Sequence, residues 1–206
     1  MTVGCELALL VSGASGSILA KQFAIAALTG GEVDALHLVV TGAAGKVLSH
    51  ELGPKWASAK AFRESLPLDD GVRARIHPYT DSDLAAQIAS GSHRLHGVVV
   101  LPCSAGMVGS LANGISRGLA QRVADVALKQ RWPLILGIRE TPMSSILLEN
   151  LLRLANAGAH IVPPLPAFYL KPDDATALRL FVDHYCLRLL DLLSIPAADD
   201  GLRWQG

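Results

Sequence analysis

Two short stretches of small residues carry the chemistry that this sequence offers. Val11-Ser12-Gly13-Ala14-Ser15-Gly16 and Val99-Val100-Leu101-Pro102-Cys103-Ser104-Ala105-Gly106 each close an apolar run and open a stretch that reads as helix. A parallel strand that hands over to a helix through glycine and serine presents backbone N–H groups at the helix N-terminus, where an anion is favoured. In open α/β sheets this carboxyl edge is where ligands bind. Gly13-Ala14-Ser15-Gly16 departs from G-x-G-x-x-G, and the next strand ends in Thr41 rather than in the carboxylate that nicotinamide enzymes use to hold a ribose. A phosphorylated mononucleotide such as FMN therefore fits better than a dinucleotide. A tight turn that holds no ligand fits the first motif equally well.

Other residues stand where they could act on such a ligand. Arg122, Asp125 and Lys129 share one helix face. The two cations lie ~10 Å apart along the axis, spaced to hold one phosphate from two sides or to form a solvated stripe; taken alone, the stripe is the better reading. Arg139-Glu140 places a charged pair at the end of an apolar strand, stopped by Pro142, and charges so placed need partners. Tyr169 sits on a loop stiffened by Pro163, Pro164 and Pro166, where it can meet a phosphate or pack on the next helix. Glu51 ends a helix, a position usually solvated. Cys103 has no histidine near it in sequence and reads as a small buried hydrophobe. The seven histidines show no metal spacing, and His37, inside a strand, reads as structural.

The elements that must position these residues follow from periodicity. Strands are expected over 6–11, 33–41, 73–77, 97–101, 134–138 and 160–162. Helices are expected over 15–28, 43–52, 82–89, 107–131, 144–157 and 173–193, with a tail over 195–206. Strands alternating with helices mean βαβ units and a parallel sheet, so the fold expected is α/β: a single three-layer, doubly wound, Rossmann-like domain over 1–206.

Composition bounds the partners. The 206 residues contain 18 Lys+Arg against 18 Asp+Glu, so no global charge draws nucleic acid or an anionic membrane. Half the residues are hydrophobic, which suits a well-buried α/β domain or an obligate oligomer. No stretch reaches the ~18 apolar residues of a membrane span. Glu6, and the lack of a basic flank, argue against a signal peptide. Three cysteines without metal or redox spacing point to a reducing, cytoplasmic setting.

Taken together, Gly13-Ala14-Ser15-Gly16, Ala89-Ser90-Gly91-Ser92, Pro102-Cys103-Ser104-x-Gly106, Ala124-Asp125-Val126-Ala127-Leu128-Lys129, Arg139-Glu140-Thr141-Pro142, Leu148-Glu149-Asn150 and Pro163-Pro164-x-Pro166-Ala167-Phe168-Tyr169 resemble the UbiX-type flavin prenyltransferases. The resemblance runs nearly end to end and is strongest from Pro102 to Tyr169. It implies a homo-oligomer, commonly a dodecamer, with FMN at subunit boundaries. The implied reaction attaches a dimethylallyl group from dimethylallyl monophosphate to N5 and C6 of reduced FMN, without a metal. The product serves UbiD-type decarboxylases.

By the same resemblance, Gly13, Ala14, Ser15, Thr41, Ser104, Ala105, Gly106, Met107 and Arg139 bind FMN. Ser15 and Glu51 assist ring closure, and Lys129 and Glu140 join them as catalytic residues. Ser90, Gly91, Arg122, Lys129, Glu140 and Tyr169 surround the prenyl phosphate. Two positions depart from the family. A basic residue is expected sixteen positions after the loop tyrosine, on the prenyl-phosphate side; here it is Tyr185, with Arg188 three residues on as the substitute. The tryptophan-containing stretch before Ala89 reads Asp83-Leu84-Ala85. Tyr185 motivates a second reading, a non-catalytic FMN- or prenyl-FMN-binding paralogue. A cysteine-type FMN-dependent decarboxylase ranks last, because its catalytic histidine and Pro-Ala-Ser-Ala-Asn-Thr stretch are missing. The implied tail contact, Arg203-Trp204 on a neighbour's flavin, stands against an unstructured tail.

Overall fold

Among the described residues, six strands form one parallel sheet. The computed structural model describes residues 4–30, 32–171, 173, 175–197 and 201–204. The strands are β1 (Glu6–Val11), β2 (Ala35–Val40), β3 (Ile76–Thr80), β4 (Gly97–Cys103), β5 (Leu134–Ile138) and β6 (His160–Ile161). Their spatial order is β3-β2-β1-β4-β5-β6, and every pairing is parallel. The chain reverses its direction of travel across the sheet between β1 and β4, whose register runs from Leu7 opposite Gly97 to Leu10 opposite Val100. This is the switch point at which doubly wound sheets open a crevice.

Eight α-helices cover the two faces among the described residues: α1 (Ser17–Thr29), α2 (Gly42–Glu51), α3 (Ala59–Ser65), α4 (Asp70–Arg73), α5 (Ala105–Ala112), α6 (Leu119–Gln130), α7 (Ser145–Asn156) and α8 (Ala177–Leu192). Strands covered on both sides can be apolar throughout, and β4 is buried along its whole length. Side chains of β1 alternate between two cores. Leu7 and Leu9 join Phe23, Phe62 and Leu189, whereas Ala8 and Leu10 join Val123, Leu147 and Leu154. The result is the expected three-layer α/β arrangement.

Four expectations need correction. The helix expected over 107–131 is two helices: Gly114 takes φ +66°, and the segment 113–118 loops out before α6. The helix expected over 82–89 is a set of turns ending in one 3-10 turn, Gln87–Ala89. The third strand lies further along than 73–77, because Arg73 closes the short α4, capped by Asp69. A helix over Ala59–Ser65 was not expected; Phe62 anchors it, edge-on to Trp56. Of the expected 195–206 tail, residues 198–200, 205 and 206 lie outside the described residues, as do residue 31 and residues 172 and 174 of the 163–193 region.

Candidate active site

A serine fixes the two strand ends that border the crevice. Ser12, 3% exposed, donates its hydroxyl hydrogen to the Pro102 carbonyl at 2.9 Å and accepts the Ser104 N–H at 2.8 Å. It thereby ties the end of β1 to the end of β4. Gly13 follows, with its backbone so close to α2 that a Cβ there would sit 2.6 Å from that of Ala43. Gly16 caps α1 with φ +109°, a conformation that glycine reaches without the Cβ penalty; this is why α1 begins at Ser17 rather than at the expected Ser15.

Three helix N-termini converge on a cleft of about 590 Å³ lined by Ser12, Gly13, Thr41, Ser104, Met107 and Gln121, among others. Thr41 caps α2 by accepting the Ala44 N–H at 3.2 Å, and Ser104 caps α5 by accepting the Met107 N–H at 3.2 Å. In each helix the N–H groups of the first two residues have no partner within the helix. Gly42 and Gly106, which supply two of them, face open space. The third terminus differs. Asp81 accepts the Leu119 N–H through its carbonyl (2.7 Å) and the Ala120 N–H through its carboxylate (2.9 Å), so α6 is already capped. Asp81 carries no signal in the sequence, and Ser12 is marked there only as part of the 11–16 stretch. Asp81 follows the last residue of β3, and only the misplaced third strand hid its position at the edge.

Glu51 reaches back from the end of α2 to the start of α1. Its carboxylate accepts the Ser17 N–H at 2.7 Å and the Gly16 N–H at 3.1 and 3.2 Å. Partial burial raises its pKa, but hydrogen bonds from Ser15, Ser17 and Gly16 outweigh that and hold the carboxyl below its usual range. Arg139 joins the same edge: its N–H donates to the Cys103 carbonyl at 3.1 Å, and its exposed guanidinium makes no ion pair among the described residues. Glu140, also exposed, accepts the Thr141 N–H at 3.0 Å. Burial pushes the Cys103 thiol well above its usual pKa, so it stays protonated and inert, as its sequence context suggested. The flavin-side candidates Gly13, Ala14, Ser15, Thr41, Glu51, Ser104, Ala105, Gly106, Met107 and Arg139 thus gather on one sheet edge.

Of the phosphate-side candidates, Glu140 follows Arg139 at this edge, whereas Ser90, Gly91 and Lys129 do not join it within one chain. Lys129 stands at the C-terminal end of α6, which leads into the start of β5, and the Ser90-Gly91-Ser92 loop precedes the start of β4. Both belong to the opposite sheet edge, and Gly91 packs against Gln130, the residue after Lys129. Arg122 lies one turn into α6 on its exposed side. Neither Arg122 nor Lys129 makes an ion pair among the described residues.

The chain matches the flavoprotein family over residues 2–179. It is 41% identical over 205 residues to the flavin prenyltransferase UbiX of Synechocystis sp., covering 97% of this chain and 96% of the relative. The chain belongs to the UbiX flavin prenyltransferase family. The crystal structure of AnUbiX in complex with FMN and dimethylallyl pyrophosphate superposes with a TM-score of 0.80 at 33% identity, covering 99% of both chains. A dodecameric FMN-dependent UbiX-like decarboxylase from Escherichia coli O157:H7 superposes with a TM-score of 0.81 at 33% identity, covering 98% of this chain and all of that one.

Against this family frame, two further candidates sit in unexpected surroundings. The Tyr169 hydroxyl meets His184 Nε2 at 2.7 Å and the Leu202 carbonyl at 3.2 Å, with Trp204 edge-on to its ring. Tyr185 was expected to contact the prenyl phosphate; instead it is 3% exposed and donates its hydroxyl hydrogen to the Val162 carbonyl at 2.6 Å. The rotation of α8 turns this position into the core. Arg188 does not share its face: it is exposed and pairs with Asp191 at 3.0 Å. Among the described residues no helix is long and apolar enough to cross a membrane.

Proposed function

We propose that this chain is a flavin prenyltransferase acting as a homo-oligomer, with dimethylallyl monophosphate as donor and reduced FMN as acceptor. Reduced FMN supplies the electron-rich N5 and C6 edge to which the dimethylallyl carbons bond. The residues present fit it: glycine backbone at Gly42 and Gly106 leaves room, and the unpartnered N–H groups of α2 and α5 suit the phosphate and polyol of a flavin tail. Thr41, Ser104 and Arg139 would hold that tail, and Gly13 to Ser15 would border the ring.

The residues of the prenyl side have a separate task. A phosphate departs from an allylic carbon only when its developing charge is matched. Arg122, Lys129 and Arg139, three cations without ion-pair partners among the described residues, are suited to match it. Glu140 would hold the proton that the departing phosphate takes up, and Ser90 and Gly91 would bound the donor. Tyr169 would hydrogen-bond its phosphate once released from His184.

The observation that carries the reading is the division of these residues between two sheet edges. Ser90, Gly91 and Lys129 of one chain cannot face the Gly13–Ser15 turn of the same chain, so a second copy would deliver them. Exposed apolar residues on α7, Ile146 at 71% and Leu152 at 63%, offer surface for such contacts. A dodecamer, as in the Escherichia coli relative, is the assembly we propose, with a UbiD-type decarboxylase as consumer of the product and a cytoplasmic setting.

The test is anaerobic: purified protein, reduced FMN and dimethylallyl monophosphate are mixed and the extracted flavin is weighed by mass spectrometry. A gain of one dimethylallyl unit supports the reading; unmodified flavin overturns it. A buried Tyr185 and a paired Arg188 favour a second reading, an FMN-binding paralogue that does not transfer a prenyl group. Arg188→Ala separates the two roles of that arginine. Loss of transfer with FMN retained makes Arg188 the donor anchor, and unchanged transfer confines it to its pair with Asp191.

A further inference from the structure

The N-terminal edge of the sheet carries a cluster of polar side chains that the flavin chemistry does not use. Glu6 opens β1, His37 is the third residue of β2, and His93 lies on the loop before β4. His37 Nε2 stands 2.8 Å from Glu6 Oε2, and His93 Nε2 stands 3.0 Å from the same oxygen. One ligand atom from each residue lies within 4.8 Å of the other two. The three are separated by 31 and 56 positions in the chain, which is why no spacing rule finds them.

Hydrogen bonding alone accounts for this cluster incompletely. A single carboxylate oxygen is approached by two imidazole nitrogens. His37 makes an aligned hydrogen bond to it, whereas His93 Nε2, itself closed off from solvent, reaches it at 3.0 Å as an ion-pair contact of poorer alignment. One oxygen shared by two imidazole nitrogens satisfies the second of them only in part. The His37 side chain is itself only 2% exposed.

We propose that Glu6, His37 and His93 form a binding site for a divalent transition-metal ion of the zinc class. Two imidazoles and one carboxylate, with a water in the fourth position, is a donor set that such ions accept. Donors around a tetrahedral zinc stand ~3.4 Å apart, given bonds of ~2.0–2.1 Å. Glu6 and His93, with side chains 33% and 24% exposed, have room to open by that amount and leave a path from solvent. His37 is supported from behind: its Nδ1 meets the Tyr79 hydroxyl at 3.0 Å, and His77 stacks on its ring with centroids 5.3 Å apart. The Tyr79 oxygen can accept from Nδ1–H, which frees Nε2 for a metal; such an outer partner fixes the orientation of a ligating histidine.

The ion would fasten three segments. The His93 N–H donates to the Ser90 carbonyl at 3.1 Å, so a metal on His93 pins the Ser90–His93 turn to β1 and β2. The site stands at the sheet edge opposite the Gly13–Ser15 turn, and its existence does not rest on the flavin reading.

The test uses the full-length protein, stripped of metal with a chelator and titrated with Co(II) alone. The expected result is one ion per chain, the intense visible absorption of four-coordinate cobalt, displacement by Zn(II), and a higher Tm with Zn(II) present. Glu6→Gln and His93→Ala each weaken Co(II) binding by roughly 10- to 100-fold or more, whereas His50→Ala, on the exposed side of α2, leaves it unchanged. Circular dichroism reports folding, and His93→Gln repeats the measurement if the alanine variant misfolds. Absence of binding, a weak six-coordinate spectrum, or binding unaltered in both the Glu6 and His93 variants overturns the proposal.

Discussion

The two edges of the sheet are built on opposite plans. At the carboxyl edge the chain supplies its own order: Ser12 joins β1 to β4, Thr41 and Ser104 cap the helices that follow, and Glu51 closes the start of α1. At the amino edge, the Ser90–Ser92 loop meets Gln130, and the neighbouring Lys129 meets no counter-charge among the described residues. A site preorganised within one chain suits a ligand with many polar contacts, such as a nucleotide. A cation held out without a partner, as Lys129 is, suits a phosphate that arrives from elsewhere. On the proposed assignment the difference makes flavin retention and prenyl transfer separable properties, so that damage to one edge should spare the other.

The largest effect is expected at the amino edge. Lys129→Ala should lower the single-turnover rate of flavin prenylation by about 10²–10³-fold, the usual consequence of removing one charge-stabilising donor. FMN should still co-purify, because no residue of the carboxyl edge has changed. Anaerobic rapid-quench with mass analysis measures the rate, and flavin absorbance measures occupancy. If rate and occupancy fell together, the two edges would not be separable as described.

The reverse is expected at the carboxyl edge. Gly13→Ala places a methyl group 2.6 Å from the Ala43 Cβ, and overpacking of this kind costs about 1–3 kcal/mol. The turn should shift away from α2 and FMN should be lost on gel filtration. Ser12→Ala is milder: it leaves the buried Ser104 N–H without its acceptor, at a cost of about 1–2 kcal/mol. Urea denaturation of the apo-protein reads both. A Gly13→Ala protein that kept its FMN would show that the turn has freedom the packing does not suggest.

The carboxyl edge was also the more legible of the two. Apolar runs ending in Gly13-Ala14-Ser15-Gly16 and Pro102-Cys103-Ser104 announce their strands, and the sheet order follows from the βαβ pattern. Failures came where periodicity carries no signal. Apolar spacing continues from Met107 to Leu128 across Gly114, so the break before α6 passes unseen. Lys60, Arg63 and Glu64 disguise α3, which one buried aromatic, Phe62, holds in place. Tyr185 was assigned from a count of sixteen residues, but rotation about the helix axis, not distance along the chain, decides what a side chain faces. The cluster of Glu6, His37 and His93 is assembled wholly by the pairing of β1 with β2 and the loop into β4. No local motif can report it.

The smallest effect tests whether the carboxyl edge is held by charge as well as by shape. Glu51 accepts N–H groups at the positive end of α1, an arrangement worth about 0.3–1 kcal/mol when exposed. Its hydrogen bonds lower the carboxyl pKa in the folded protein relative to its ordinary value of 4.5. Protons then bind the unfolded chain more readily than the folded one, so stability rises with pH across this window. The contribution is complete above 4.5 and is lost as the pH falls through the depressed folded value. Glu51→Gln keeps the side-chain shape and removes the charge, so it should cost a few tenths of a kcal/mol to about 1 kcal/mol at pH 7 and progressively less as the pH falls through the depressed folded value. Urea midpoints across this range provide the measurement, and the gap between the two proteins should shrink in high salt. A gap that persisted unchanged to pH 3 would assign the role of Glu51 to hydrogen-bond geometry alone.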